Sequence, residues 1–215
     1  MKLNIFNKLL RSRKNLCFFM AFIFISRLSI AQQMNMHDMK PSKIQKNVFL
    51  SFMDTMMVKM DQAPAGETVG AQFMLQMIPH HEGAIEMAEY EIKHGKDFTM
   101  MQLAKSIAAE QRNEVNQMQI WLKRSLADTA KITEPFTKGF NEAMEVMMQN
   151  MPANSKLTNN DHSFAAVMIP HHQAAIDMAK VAIKFTKDQQ VVAFAKHIIS
   201  AEQIEIEQML QFLKQ

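Results

Sequence analysis

One feature constrains this chain more than any other: it states a long helical unit twice, in one register. Met77-Ile78-Pro79-His80-His81, followed by Ala84 and Met87, returns as Met168-Ile169-Pro170-His171-His172, followed by Ala175 and Met178. The offset is 91 residues and holds without a gap on both sides of the motif. Upstream, Phe49, Met53, Met56, Met57 and Met60 recur as Phe140, Met144, Met147, Met148 and Met151. Downstream, Ala104, Lys105, Ile107, Glu114, Gln117, Met118 and Leu122 recur as Ala195, Lys196, Ile198, Glu205, Gln208, Met209 and Leu213. Two copies with so long a period do not make a solenoid. They make a duplicated helical hairpin with a leader helix.

The apolar residues set the helices. Phe49, Phe52, Met53, Met56, Met57 and Met60 fall at steps of three and four, which predicts an amphipathic helix over 47–61. Ala63-Pro64-Ala65-Gly66 ends it. A long helix is expected over about 68–94, with Gly95 as its stop, and another over about 97–126. Residues 127–136, with Pro135 among them, read as the connection to the second copy, whose leader is expected at 138–151. There are only five glycines and no alternating β-branched run, so no sheet is expected. Two long hairpins form an antiparallel four-helix bundle. The duplicated unit covers 47–215, with the first repeat at about 47–126 and the second at about 138–215.

The first 46 residues read differently. Lys2, Lys8, Arg11, Arg13 and Lys14 precede an apolar run, Leu16 to Ile25, and Ser29-Ile30-Ala31 offers small residues at a cleavage site. This is the pattern of a signal peptide over 1–31, and the run is short for a membrane span. The expectation is a periplasmic or secreted protein with no stable membrane anchor after cleavage. Residues 1–31 hold six Lys/Arg and no acids, so the chain's 24 basic residues fall to 18 against 21 acidic ones. The formal charge moves from +3 to −3, and no basic patch marks a nucleic-acid partner. Residues 32–46 have no period and read as a mobile tail carrying Met34, Met36, His37 and Met39, either a loose accessory metal cluster or a solvated linker.

The single cysteine, Cys17, lies in the signal, so the mature chain has no thiolate. Soft ligands must then be methionines, of which the chain has 22. With Met77 at zero on a helical wheel of about 100° per residue, His80 falls near about −60°, His81 near about +40°, Ala84 near about −20° and Met87 near about −80°. Both histidines lie on the core-facing stripe, and the second copy repeats this. Pro79 and Pro170 stand inside their helices and are expected to kink them beside the histidines. On the next helix, Glu114 shares the apolar face of Leu103, Ile107 and Met118, and Glu205 that of Phe194, Ile198 and Met209. A buried carboxylate needs a partner, and a histidine of the neighbouring helix is the expected one. Gln111 stands one turn before Glu114, and Glu202 occupies the matching place before Glu205. Imidazole and thioether without thiolate favour Cu(I), and Ag(I) by the same softness, whereas imidazole alone also suits Zn(II) or Cu(II).

The same residues bear on other classes of function. A di-iron bundle needs two Glu-x-x-His motifs. Glu91-x-x-His94 occurs once, and Ala182 and Phe185 stand at the matching places. No Gly-rich phosphate loop or Gly-x-Ser-x-Gly elbow is present, so a metal-dependent redox enzyme is the weaker reading. A structural bundle without metal, its Met-rich leaders packing on a partner or a second copy, is the main alternative.

The paired Phe-x-x-x-Met-x-Pro-His-His-x-x-Ala-x-x-Met-Ala blocks, at Phe73–Ala88 and Phe164–Ala179, resemble the bacterial family called domain of unknown function 305. Each block is followed, as in that family, by Gln/Glu-x-x-Glu-x-x-x-Met-x-x-x-Leu, at Gln111–Leu122 and Glu202–Leu213. The resemblance implies a ferritin-like four-helix bundle and, because some exported members bind copper, a copper role in buffering, resistance or transfer. It implies metal ligands at Met77, His80, His81, Met87, Met168, His171, His172 and Met178. Two departures stand out: the family's Asp before the Phe is present as Asp161 but is Gly70 in the first copy, and His162 and His197 have no counterpart there.

Overall fold

The computed structural model describes residues 45–124 and 127–215. The signal-like stretch 1–31 and the candidate accessory ligands Met34, Met36, His37 and Met39 lie outside the described residues. Six α-helices are formed, α1 Val48–Asp61, α2 Val69–His94, α3 Phe98–Lys123, α4 Glu134–Gln149, α5 Asn160–Phe185 and α6 Gln189–Phe212, with one 3₁₀ turn at Asn154–Lys156. No strand occurs among the described residues.

Local chemistry starts each helix where the chain turns. Asn47, Thr68, Asp97, Asn159 and Asp188 each accept a backbone N–H of the first turn, satisfying donors that have no partner inside the helix. α4 has no such cap and begins instead with Pro135 in its first turn. The expected connection 127–136 is therefore shorter than its proline suggested. Proline's fixed φ suits a helix start, where its missing N–H costs nothing. Gly95 ends α2 in extended backbone rather than the left-handed form. Glycine is needed there because a Cβ would lie 2.7 Å from the Glu91 carbonyl oxygen and collide with the Glu91 carboxyl. α2 and α5 run unbroken through Pro79 and Pro170.

The hairpins α2–α3 and α5–α6 pack through their long helices, and α2 against α5 forms the central pair. The start of α2 meets the end of α5, because Asp128 bonds both Gly70 N–H and the Thr186 hydroxyl. The start of α5 meets the end of α2, where Asp161 accepts from Lys96 and Asp97 N–H at 2.8 and 2.7 Å. The central helices are thus antiparallel and related by a pseudo-twofold axis. Equivalent residues meet across that axis: His171 with His80, and Gln111 with Glu202. A residue meeting its own counterpart is the signature of a twofold interface, here within one chain.

The core obeys the same symmetry. Phe49 lies 6.0 Å, centroid to centroid, from Phe164, and its counterpart Phe140 lies 6.4 Å from Phe73. Each leader helix therefore reaches the opposite repeat. Met53, Met56 and Met60 of α1 and Met147 of α4 are buried in this core. The apolar leader faces that motivated a partner-binding reading are largely accounted for inside the chain.

Candidate metal centre

Helical period and the tight α2–α5 crossing bring four imidazoles together. His80, His81, His171 and His172 are all fully buried, as are Met77, Met87, Met168 and Met178. The His80 and His171 rings lie 3.8 Å apart at the pseudo-axis, tilted by 32°. His171 Nε2 is 3.1 Å from the His80 carbonyl oxygen and donates to it in the Nε2–H tautomer. His81 and His172 flank this pair, with centroids 6.3 and 5.9 Å from the ring beside them in sequence. The two copies thus converge on one central cluster. Sequence alone left open whether they shared a site.

The carboxylates approach from the outer helices. Glu114 Oε2 lies 2.9 Å from His81 Nε2, and Glu205 Oε2 lies 2.8 Å from His172 Nε2. Glu202 Oε1 stands 3.7 Å from His172 Nδ1 and accepts from Gln111 Nε2 at 2.9 Å. The expected pairing of carboxylate with histidine across neighbouring helices is what the structure forms. These are close contacts rather than aligned bonds, because neither ring nitrogen of His81 or His172 is in hydrogen-bond geometry. Both ring nitrogens of His80 and the His171 Nδ1 are also without a partner. Buried polar atoms are nearly always bonded, so a cluster of orphans calls for an explanation.

Burial, reinforced by the neighbouring histidines, holds the His80 and His171 pKa values well below the usual imidazole range. Both rings are therefore neutral near neutral pH, the form that offers a lone pair to a metal. Burial, followed by Glu114 and Glu205, pushes the Glu202 carboxyl well above its ordinary range. The donor set fits a soft cation: imidazoles with bare nitrogens, thioethers in the same core and, among the described residues, no thiolate.

Other expected or noted residues fall apart. Glu91 is fully buried, while His94 is exposed and stacks on Tyr90 at 4.0 Å. The lone Glu-x-x-His therefore does not form a ligand pair. The family's missing Asp at position 70 is replaced from elsewhere. Asp128, in the α3–α4 connection, sends its Oδ2 to Gly70 N at 2.6 Å. A Cβ at Gly70 would stand 2.8 Å from Val191 and 3.0 Å from Asp128 Oδ2. His197, which sequence reasoning noted only as lacking a counterpart, lies 3.3 Å from Glu110 and 3.5 Å from Glu114. The four-residue spacing of Glu110 and Glu114 on one helix face was the signal available for it.

The fold and site define a helical bundle of two repeats around a buried histidine–carboxylate centre. The chain belongs to the family described as Domain of unknown function (DUF305), which matches residues 70–213. A DUF305 fragment from Deinococcus radiodurans shares the fold, with a TM-score of 0.51 at 22% identity, over 70% of this chain and 99% of that one. CopM in its Ag-bound form, obtained by soaking, aligns with a TM-score of 0.52 at 26% identity over 67% of this chain and 94% of CopM. CopM in the Cu(I)-bound form aligns with a TM-score of 0.50 at 27% identity, over 67% and 95%. The uncharacterized protein L153 of Acanthamoeba polyphaga mimivirus is 43% identical over 47 residues, 22% of this chain and 31% of that relative. No helix among the described residues is long and apolar enough to cross a membrane.

Proposed function

We propose that this protein is an exported copper-binding protein that holds Cu(I), and Ag(I) by the same chemistry, and buffers the ion or hands it on. The observation that carries the reading is the buried cluster of four imidazoles, seven of whose eight ring nitrogens lack a hydrogen-bond partner, set in a methionine core. Likeness to CopM, solved with Ag and with Cu(I), supports it. His80, His81, His171 and His172 would supply nitrogen, and Met77, Met87, Met168 and Met178 thioether sulfur. Glu114 and Glu205 would orient His81 and His172 and offset the cation's charge. Gln111 would fix Glu202 by its hydrogen bond. Met34, Met36, His37 and Met39 would form a looser collecting cluster ahead of the bundle. The signal-like stretch 1–31 supports a periplasmic or secreted location.

Anaerobic dialysis of the mature protein against Cu(I), followed by metal analysis, tests the proposal. Uptake of at least one copper per chain is expected, together with a raised melting temperature, since a ligand of the folded state stabilises it. The double variant His80→Gln/His171→Gln, checked for helicity, should lose that copper. Absence of uptake, or uptake unchanged in the folded variant, would sink the reading.

A further inference from the structure

The seam between α3 and α6 carries more carboxyl groups than the buried histidines use. Glu110, Glu114, Glu202 and Glu205 all face it, and the salt bridges found among the described residues give Glu110 and Glu114 only histidine partners. Glu110, Glu114 and His197 bring one ligand atom each within 4.8 Å of one another. His197 Nε2 stands 3.3 Å from Glu110 Oε1 and 3.5 Å from Glu114 Oε1. Ligand bonds of the length zinc makes to nitrogen and oxygen separate tetrahedral donors by about 3.3 Å, so these two edges need almost no adjustment. A second observation is independent of the clustering. The Glu114 side chain is only 7% exposed, and its Oε1, turned toward His197, has no hydrogen-bond partner. An unpaired buried carboxylate oxygen is costly unless a cation or donor meets it.

We propose that His197, Glu110 and Glu114 form a second metal site, selective for a divalent transition-metal ion and separate from the buried copper centre. One nitrogen and two carboxylate oxygens make a harder donor set than imidazole with thioether, so the site favours Zn(II) or a similar divalent ion over Cu(I). His197 is 55% exposed, which leaves the ion a path from solvent and room for water ligands. Among the described residues the second repeat does not duplicate the site. The positions related to His197 and Glu110 by the 91-residue offset are Ser106 and Ala201. Glu114 also ties the site to the interior, because its other oxygen lies 2.9 Å from His81 Nε2. The proposal does not depend on copper binding in the core.

Zn(II) titration of the untagged mature chain against a chromophoric chelator tests it. His197→Ser, which installs the residue of the first repeat, and Glu110→Gln each alter an accessible side chain. Each should remove one equivalent of Zn(II) and leave Cu(I) uptake unchanged. Failure of the wild type to take up Zn(II), or full stoichiometry retained in both variants, would overturn the site. Parallel loss of Cu(I) would overturn its separateness.

Discussion

Replacement of Asp128 by alanine should cost far more than its place in a connecting segment suggests. Its carboxylate is 6% exposed and accepts three hydrogen bonds: from Gly70 N at 2.6 Å, from the Thr186 hydroxyl at 2.8 Å and from Ala130 N at 3.0 Å. The first caps the start of α2, and the second holds the end of α5. Losing a helix cap costs about 1 kcal/mol. A charged acceptor is worth about 1.5–3 kcal/mol per bond, and its attraction to the helix N-terminus adds up to about 1 kcal/mol. The three bonds share one carboxylate and are not additive. The Thr186 hydroxyl can also turn toward another acceptor. We therefore expect a loss of about 3 kcal/mol for Asp128→Ala in urea denaturation followed by far-ultraviolet circular dichroism. Asp128→Asn keeps an acceptor without charge and should lose about half as much. A double-mutant cycle with Thr186→Val should show coupling of about 1 kcal/mol, and Glu207→Ala, on the exposed face of α6, should change stability by no more than about 0.5 kcal/mol. A loss below about 1 kcal/mol for Asp128→Ala would refute the claim that this residue locks the two ends of the central helix pair.

Two further outcomes rest on other parts of the fold. Phe164→Ala and Phe73→Ala remove symmetry-related rings that each meet a leader-helix phenylalanine; each should cost about 3–5 kcal/mol, and a difference above about 2 kcal/mol between them would contradict equivalent packing. Burial, with Asp161 beside it, pushes the Glu91 carboxyl up to about 8 from an unfolded value of 4.5. Between those values the folded state holds a proton that the unfolded state lacks. Stability should therefore fall as pH rises through that window, by up to about 1.4 kcal/mol per pH unit. Melting curves of Glu91→Gln should lose this slope, and an identical slope in both proteins would assign it to other groups.

The helices and their pairing were readable because the chain repeats its own evidence. Periodicity located six helices, and a carboxylate on an apolar face in each copy pointed to a histidine across the groove, where Glu114 and Glu205 do meet His81 and His172. Three features were not readable, each because it joins elements far apart in sequence. The contact of His80 with His171 depends on the central helices crossing at equivalent residues. Asp128 fills the place of the missing Asp at Gly70 from a segment whose only local mark was its irregularity. His197 meets Glu110 and Glu114 from another helix, and as the copy-specific residue it broke the repeat pattern on which the reading relied. Pro135 misled in a simpler way: proline begins a helix as readily as it separates two, and no local cap decided between them.

Copper K-edge X-ray absorption of the anaerobically loaded protein tests the central claim most directly. A Cu(I) edge with a mixed shell of nitrogen and sulfur scatterers is predicted, and His80→Gln/His171→Gln, which should not retain this copper, should lose that signature. A shell of nitrogen and oxygen alone, or one that the double variant leaves unchanged, would place copper outside the buried histidine–methionine core and contradict the account.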